Sequence, residues 1–473
     1  MKIIIQKNGY ITIHVLVFAT VAVLFLGALV GWSVLNMKTS ERVFIEEQAF
    51  HIAESGVDYY LWRLAHSSTD FLTEPGPIVK EFLDKNGLVM GSFTLEITPP
   101  LLGSTLVEVR STGRVDGFGD YTRTVVAQFA KPSIAKYSVV ANDVMRFGAG
   151  TEVFGPIHSN EGIRFDGVAH NVVSSSVEDY NDPDDGVLSF GVQTRVSPAD
   201  PSPPDDVPSR PDVFVAGRHF PVPSVDFVGI TADLAQMKSD AQSDGFYRAS
   251  SSGVGYKVVL KVDGTFDLYT VDGLVSPPSG CSDPGQDGWG TWSVQSDSLI
   301  GNFPLPTNGI IFLEDEVFVE VQVNGVRLTI VAAQLPDNPT LRKSITINND
   351  LMYTNYDGTD VIGLIAQKNV NIGWVSEDEL RIDAALIAQY GRVGRYYYRK
   401  PWWIYSRCSP YHERQEVTLW GMIATNNRYG FAYTDGTGYQ IRNLYYDGSL
   451  LYGPPPSFPL TSDQYEIISW DEE

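Results

Sequence analysis

Cysteine is scarce: among 473 residues there are two, Cys281 and Cys408. They fit no metal-ligand spacing and no C-x-x-C pair, which argues against a zinc ribbon or a thioredoxin-like redox site. Two readings stand, a single disulfide or two free buried thiols. If the region lies outside a membrane, closing so long a loop is worth roughly 4–5 kcal/mol in the chain-entropy model. Basic residues are also outnumbered, with 34 Lys and Arg against 57 Asp and Glu and a formal net charge of −23. That balance disfavours nucleic acid, whose binding needs a basic face. It suits a protein kept soluble outside a cell. Catalytic signatures are missing as well: no G-x-S-x-G, H-E-x-x-H, Walker A or G-x-G-x-x-G pattern occurs. The seven histidines are scattered. The sequence is therefore read as non-enzymatic.

The N-terminal region lacks two further things. No proline precedes Pro75, and no residue of fixed charge lies between Tyr10 and Leu35. About 20 apolar residues cross a bilayer, so this run suffices. Lys2 and Lys7 before it keep the short leader on the cytoplasmic side and put the bulk of the chain outside. A cleaved secretory signal is disfavoured, because the apolar core is too long and no A-x-A site follows.

Beyond the run, Phe50, Ala53, Val57, Tyr60, Leu61 and Leu64 recur at helical spacing, while Glu47, His51, Glu54 and Asp58 form a separate polar stripe. The pattern predicts one helix over residues 10–66, roughly 85 Å long at about 1.5 Å per residue. Its first half suits lipid and its second half suits packing on a sheet. Three strands follow, at Gly91–Thr98, Leu106–Val115 and Tyr121–Phe129. Val107, Val109 and Ser111 alternate with Glu108 and Arg110, the period of a half-buried strand. Turns at Gly103 and Asp116-Gly117 favour antiparallel pairing.

The basic leader, the Gly9–Tyr10 junction, the long apolar helix and Ala53-Glu54-Ser55-Gly56 in its amphipathic half resemble the type IV pilin superfamily, in particular PilX-type minor pilins. The resemblance covers residues 1–131. It implies a helix packed on an antiparallel sheet, cleavage after Gly9 by a prepilin peptidase, and methylation of the new amine at Tyr10. It also implies other pilin-like subunits and the pilus assembly machinery as partners. Family members generally carry Glu five residues into the mature chain, to pair with a neighbour's terminal amine during assembly. This chain has His14 there, which favours a minor or tip subunit over a main filament subunit.

From Lys131 onward the text is short strands and Gly, Asn and Asp turns. A weak repeat links Gly155-Pro-Ile-His-Ser, Gly363-Leu-Ile-Ala-Gln, Ala385-Leu-Ile-Ala-Gln and Gly421-Met-Ile-Ala-Thr. The middle copies stand roughly 22 residues apart, close to one coil of a parallel β-helix. A β-sandwich with strands of shared composition is the alternative. The expected class is thus α+β, a pilin-like N-terminal region followed by an interrupted β-solenoid. The divisions are a leader at 1–9, helix and meander at 10–131, first solenoid part at 132–196, linker and inserted subdomain at 197–306, second solenoid part at 307–453, and a tail at 454–473 lying across the core. Within the insertion, Ser197–Asp212 is a Pro/Asp-rich linker without regular structure. Thr231 caps a short helix through Leu234, Met237 and Ala241, ended by Gly245, and Asp263-Gly264 turns a hairpin.

Four sets of side chains are candidate sites. Glu178, Asp179, Asp182, Asp184 and Asp185 form the densest acidic loop, a weak Ca²⁺ candidate beside the plainer reading of a solvated turn. His158 reads as a ladder or turn residue rather than a ligand. Asp378, Glu379, Asp383 and Arg381 offer the carboxylate grouping that a polysaccharide-active β-helix enzyme needs, against solvated loop charges. Tyr396, Tyr397, Tyr398, Trp402, Trp403 and Tyr405, among Arg395, Arg399 and Lys400, form either a patch for sugars or a partner, or a buried cap. The functional expectation is a membrane-anchored minor pilin-like subunit whose β domain faces outward for assembly or adhesion. The alternatives are a cell-envelope scaffold without a pilus and a surface polysaccharide-active enzyme.

Overall fold

The computed structural model describes residues 9–72, 77–118, 121–227, 229–282 and 285–473. The leader before Gly9, and Pro75 and Gly76 in the loop after the helix, lie outside the described residues. The protein is α+β, with one long N-terminal helix and a mostly β remainder in several sheets. It divides into two compact units. The smaller comprises Met1–Pro99, Val107–Ala130 and Gln464–Glu473, and the larger Pro100–Leu106 and Lys131–Asp463.

In the smaller unit, helix α1 runs unbroken over Gly9–His66. Strands β1 (Ile78–Leu83), β2 (Val89–Thr98), β3 (Val107–Val115) and β4 (Thr122–Ala130) pair in sequence order, all antiparallel. β3 alternates as its residues demand: Val107, Val109, Ser111, Gly113 and Val115 are buried, and Arg110 and Arg114 are exposed. A fifth strand, Glu466–Glu472, pairs antiparallel with β4. The segment read from sequence as a surface tail thus closes a sheet. Its row of mostly exposed residues carries no alternation to read, yet Trp470 packs edge-on against Phe50 of α1 at 5.8 Å between ring centroids. Arg123 meets Glu472 at 3.1 Å, and Arg110 meets Glu473. β1, also absent from the sequence reading, buries only Ile78.

The larger unit is held by parallel pairing. Strands Ile310–Leu313, Arg327–Ala332, Val361–Ala366, Glu379–Ala388, Glu413–Thr425, Val139–Ala141, Ile157–Ser159 and Val173–Ser175 follow one another in a continuous ladder. The order is not that of the chain. Ile423 pairs with Val139, so the stretch from residue 139 and the stretch ending near 425 meet in mid-ladder.

The repeat seen in the sequence is half in register. Gly363 pairs with Ala385 and Ile365 with Ile387, as aligned. Gly421, however, lies opposite Ala384, so that Ile423 faces Leu386 and not Ile387. Ile157 likewise falls level with Leu364, through Val139. One residue of slip exchanges the two faces of a strand. Leu364, Leu386, Ile423, Val139, Ile157 and Val173 therefore share the inner core, while Ile365, Ile387, Ala424 and Val140 belong to a second cluster. Gly421 permits the close approach, since a Cβ there would lie 2.0 Å from the Ala384 carbonyl oxygen.

The second cluster also receives Leu234, Met237 and Ala241 from helix α2 (Gly229–Ser243), which begins before Thr231. The hairpin expected at Asp263-Gly264 is formed by Gly255–Leu260 and Thr265–Leu274, and Val294–Pro304 adds a third strand. Residues 197–212 hold no helix or strand. They are nevertheless pinned, because the buried Asp200 accepts from Arg218 Nη1 at 2.5 Å and from the Thr194 amide at 2.9 Å, with Arg210 at 3.6 Å.

Candidate functional site

The feature least accounted for by packing is the first half of α1. Every residue from Tyr10 to Phe44 is exposed, among them Phe18, Leu24, Phe25, Leu29 and Trp32. The segment is long and apolar enough to cross a membrane. Three of its polar side chains turn back on the helix. His14 Nδ1 lies 2.6 Å from the Tyr10 carbonyl oxygen, and Thr20 and Thr39 hydroxyls donate to the Leu16 and Leu35 carbonyls at 2.8 and 2.9 Å. Such bonds leave few polar atoms facing an apolar surrounding. Gly9 and Tyr10 stand at the start of the described helix.

At Ile45 the same helix changes environment. Ile45, Ala49, Ile52, Ala53, Val57, Tyr60 and Leu64 are buried against the sheet. Small residues set the approach: a Cβ on Gly113 of β3 would sit 2.0 Å from the Ala49 carbonyl oxygen, and one on Gly56 would sit 2.3 Å from Ser111 Oγ. The Ala53–Gly56 stretch noticed in the sequence is thus a packing surface. The opposite face carries Glu47, His51 and Glu54, with His51 Nδ1 at 3.0 Å from Glu54. Arg63 closes the helix end on Asp70 at 2.7 Å.

The remaining candidates sit in the larger unit. Cys281 and Cys408 are joined in a disulfide within a buried cluster that includes Trp374, Tyr396 and Tyr398. The aromatic group accordingly divides. Tyr396 and Tyr398 are core, whereas Trp402, Trp403 and Tyr405 are exposed, together with Ile404. Arg395 is buried, donating to the carbonyls of Gly373, Trp374 and Tyr411.

The acidic loop does not gather its oxygens about one point. Asp184 takes both guanidinium nitrogens of Arg428 at 2.9 and 2.8 Å and Arg146 at 2.8 Å. Hydrogen bonding to Arg428, then to Arg146, holds its carboxyl down at about 2. Asp182 accepts from Gln193, Asp185 lies 3.2 Å from Arg195, and Glu178 and Asp179 are exposed. Among the described residues no group of three or more His, Cys, Asp or Glu is placed to hold a metal. Arg146 and Arg428, unremarked in the sequence, line a cavity of about 640 Å³ with Arg442, Tyr429 and Tyr433.

Asp383 is buried and fully occupied, by Tyr356 Oη at 2.6 Å, Arg381 Nε at 2.9 Å and the Tyr353 amide at 3.1 Å. Asp378 and Glu379 are exposed, and Asp378 holds Arg414 at 3.1 Å. Asp383 and Asp378, read from the sequence as carboxylates for glycan cleavage, thus serve separate structural contacts. His158 lies in the ladder strand Ile157–Ser159, buried and 3.0 Å from Ser174 Oγ.

No protein-family model matches the chain, and no curated protein matches it. Among solved structures, it is similar to the competence-associated pilin ComZ from Thermus thermophilus, at 13% identity over 91% of this chain and 98% of that one. The TM-score of 0.30 is too low to establish a shared fold.

Proposed function

We propose that the protein is a non-catalytic, membrane-anchored, pilin-like subunit of minor type, with its larger unit displayed on the outer side of the membrane. One observation carries the reading: a single helix, apolar to Leu35 and bare to Phe44, becomes from Ile45 the packed layer of an antiparallel sheet. A simple anchor needs no such continuation. A subunit that must leave the bilayer for a filament without refolding does, because lipid and neighbouring helices are alternative covers for the same apolar surface. His14 in place of the usual Glu removes a fixed negative charge from that surface, which supports a minor over a principal subunit. The parallel ladder reads as a two-part β-solenoid, a rigid body suited to display, assembly or adhesion.

N-terminal sequencing and mass measurement of the chain from its native membranes test this directly. The expected product begins at N-methylated Tyr10 and appears in sheared filaments. An unprocessed chain confined to membranes overturns the pilin-like reading and favours a cell-envelope scaffold. For the enzymatic alternative, no activity is expected on a glycan panel. Cleavage that Asp383→Asn abolishes overturns the non-catalytic part of the proposal.

A further inference from the structure

Four consecutive large apolar side chains stand in solvent in the larger unit. Trp402 is 60% exposed, Trp403 87%, Ile404 78% and Tyr405 58%. They sit at the apex of a tight loop. The Trp402 amide donates to the Tyr405 carbonyl at 3.0 Å, and the Tyr405 amide returns the bond at 2.9 Å. Trp403 holds φ +52° and Arg407 φ +44°, left-handed values that side chains seldom adopt. The base is fixed: the Cys408 amide donates to the Arg399 carbonyl at 3.1 Å, and Cys408 is bonded to Cys281 inside the Trp374, Tyr396 and Tyr398 cluster. A rigid stem thus presents an apolar tip that the protein's own core leaves uncovered.

We infer that this loop, residues 399–407, docks on an anionic phospholipid surface. The composition separates lipid from the other occupants. A sugar subsite sets carboxylate or amide side chains beside its aromatic faces to fix the hydroxyls. The run Arg-Lys-Pro-Trp-Trp-Ile-Tyr-Ser-Arg has no Asp, Glu, Asn or Gln, and Ile404 adds nothing to stacking. A stable protein interface covers about 800 Å² per partner, more than a four-residue tip offers. At a bilayer the tip residues each have a place: Trp and Tyr at the headgroup level, Ile404 toward the acyl boundary, and Lys400 and Arg407 opposite the phosphates. Arg407 already rests over Trp402, 5.6 Å from the ring centroid. In a chain of net charge −23, these nine residues carry three cations and no acid, and although Lys400 Nζ also donates to the Asp435 backbone carbonyl at 2.8 Å, the loop is charge-complementary to an anionic surface. The inference is independent of the pilin-like reading, since it uses nothing of α1.

The test uses the full chain in amphipol, so that the apolar half of α1 is already covered. It is mixed with sucrose-loaded vesicles of phosphatidylcholine with or without phosphatidylglycerol and sedimented. The chain should pellet with the phosphatidylglycerol vesicles, less so as salt rises. Trp403→Ser with Ile404→Ser should lower the bound fraction at least about tenfold, since each residue loses its apolar burial. Trp403→Phe with Ile404→Leu should restore it. Lys400→Glu with Arg407→Glu, which leaves the apolar tip intact, should remove the preference for phosphatidylglycerol. Absence of pelleting, or equal pelleting of wild type and the Ser variant, overturns the inference. So does tip-dependent retention on a saccharide matrix, or tip-dependent self-association, without vesicle binding.

Discussion

Both units are organised around sheets, but by opposite rules. In the smaller, β1 to β4 lie beside their sequence neighbours, and one face of the sheet meets α1. In the larger, outside the hairpin at Asp263-Gly264, each strand of the parallel ladder pairs with another tens to hundreds of residues away, and both faces of the ladder are covered. The first arrangement writes its register into alternation along a single strand. The second spreads its register over distant segments, so that no one of them displays it.

The largest effect expected from this difference concerns the disulfide, which spans 127 residues of the larger unit. Cys281→Ser with Cys408→Ser should cost about 4–5 kcal/mol of that unit's stability by loop-closure entropy, and leave the smaller unit unchanged. Denaturant titration followed by hydrogen exchange in each unit separates the two, and equal loss in both would break the contrast. Next is Glu316, whose carboxyl is pushed up to about 7 chiefly by burial. The folded state then holds a proton that the unfolded state releases near pH 4.5. The larger unit should lose on the order of 3 kcal/mol as pH rises from about 4.5 to 7, and no more above it. Unfolding midpoints across that range should flatten in Glu316→Gln.

Gly113→Ala should affect only the smaller unit, by about 1–3 kcal/mol, because the added methyl meets the Ala49 carbonyl. Exchange of the α1 amides beyond Ile45 should rise with it. The finest test concerns register. Leu386→Ala and Ile423→Ala should couple by about 0.5–1 kcal/mol in a double-mutant cycle. Ile387→Ala and Ile423→Ala should add within about 0.5 kcal/mol. The reverse result would restore the alignment read from the sequence repeat.

Legibility followed the same division. The long helix could be read because an uncharged run passes directly into a helical stripe, and β3 because Val107, Val109 and Ser111 face one way. The strand Glu466–Glu472 could not, since an edge strand rich in acid buries almost nothing. In Val361–Ala366 every residue is buried, so the strand carries no alternation to align. Matching similar letters therefore placed Ile423 on the wrong face. At the candidate sites, the apolar half of α1 was evident from composition. The close approach of Gly113 to Ala49 was not, because it depends on two segments separated by a turn and two strands. The tyrosines and tryptophans of residues 396–405 looked like one patch. In the fold, Tyr396 and Tyr398 lie inside with Cys281 and Cys408, and Trp402, Trp403 and Tyr405 lie outside.

The strand at Glu466–Glu472 has a consequence for how the molecule is made. Its partner β4 ends at Ala130, and all of the larger unit except Pro100–Leu106 is translated between the two. Domains generally mature in the order they emerge from the ribosome. Here the unit begun first is the one finished last: its sheet stays open along β4 until the insert has been synthesised. An exposed strand edge is a ready template for wrong partners. The interval during which α1 and β1 to β4 wait for their fifth strand is therefore when this protein most needs protection, and a chaperone that binds nascent edges would act there.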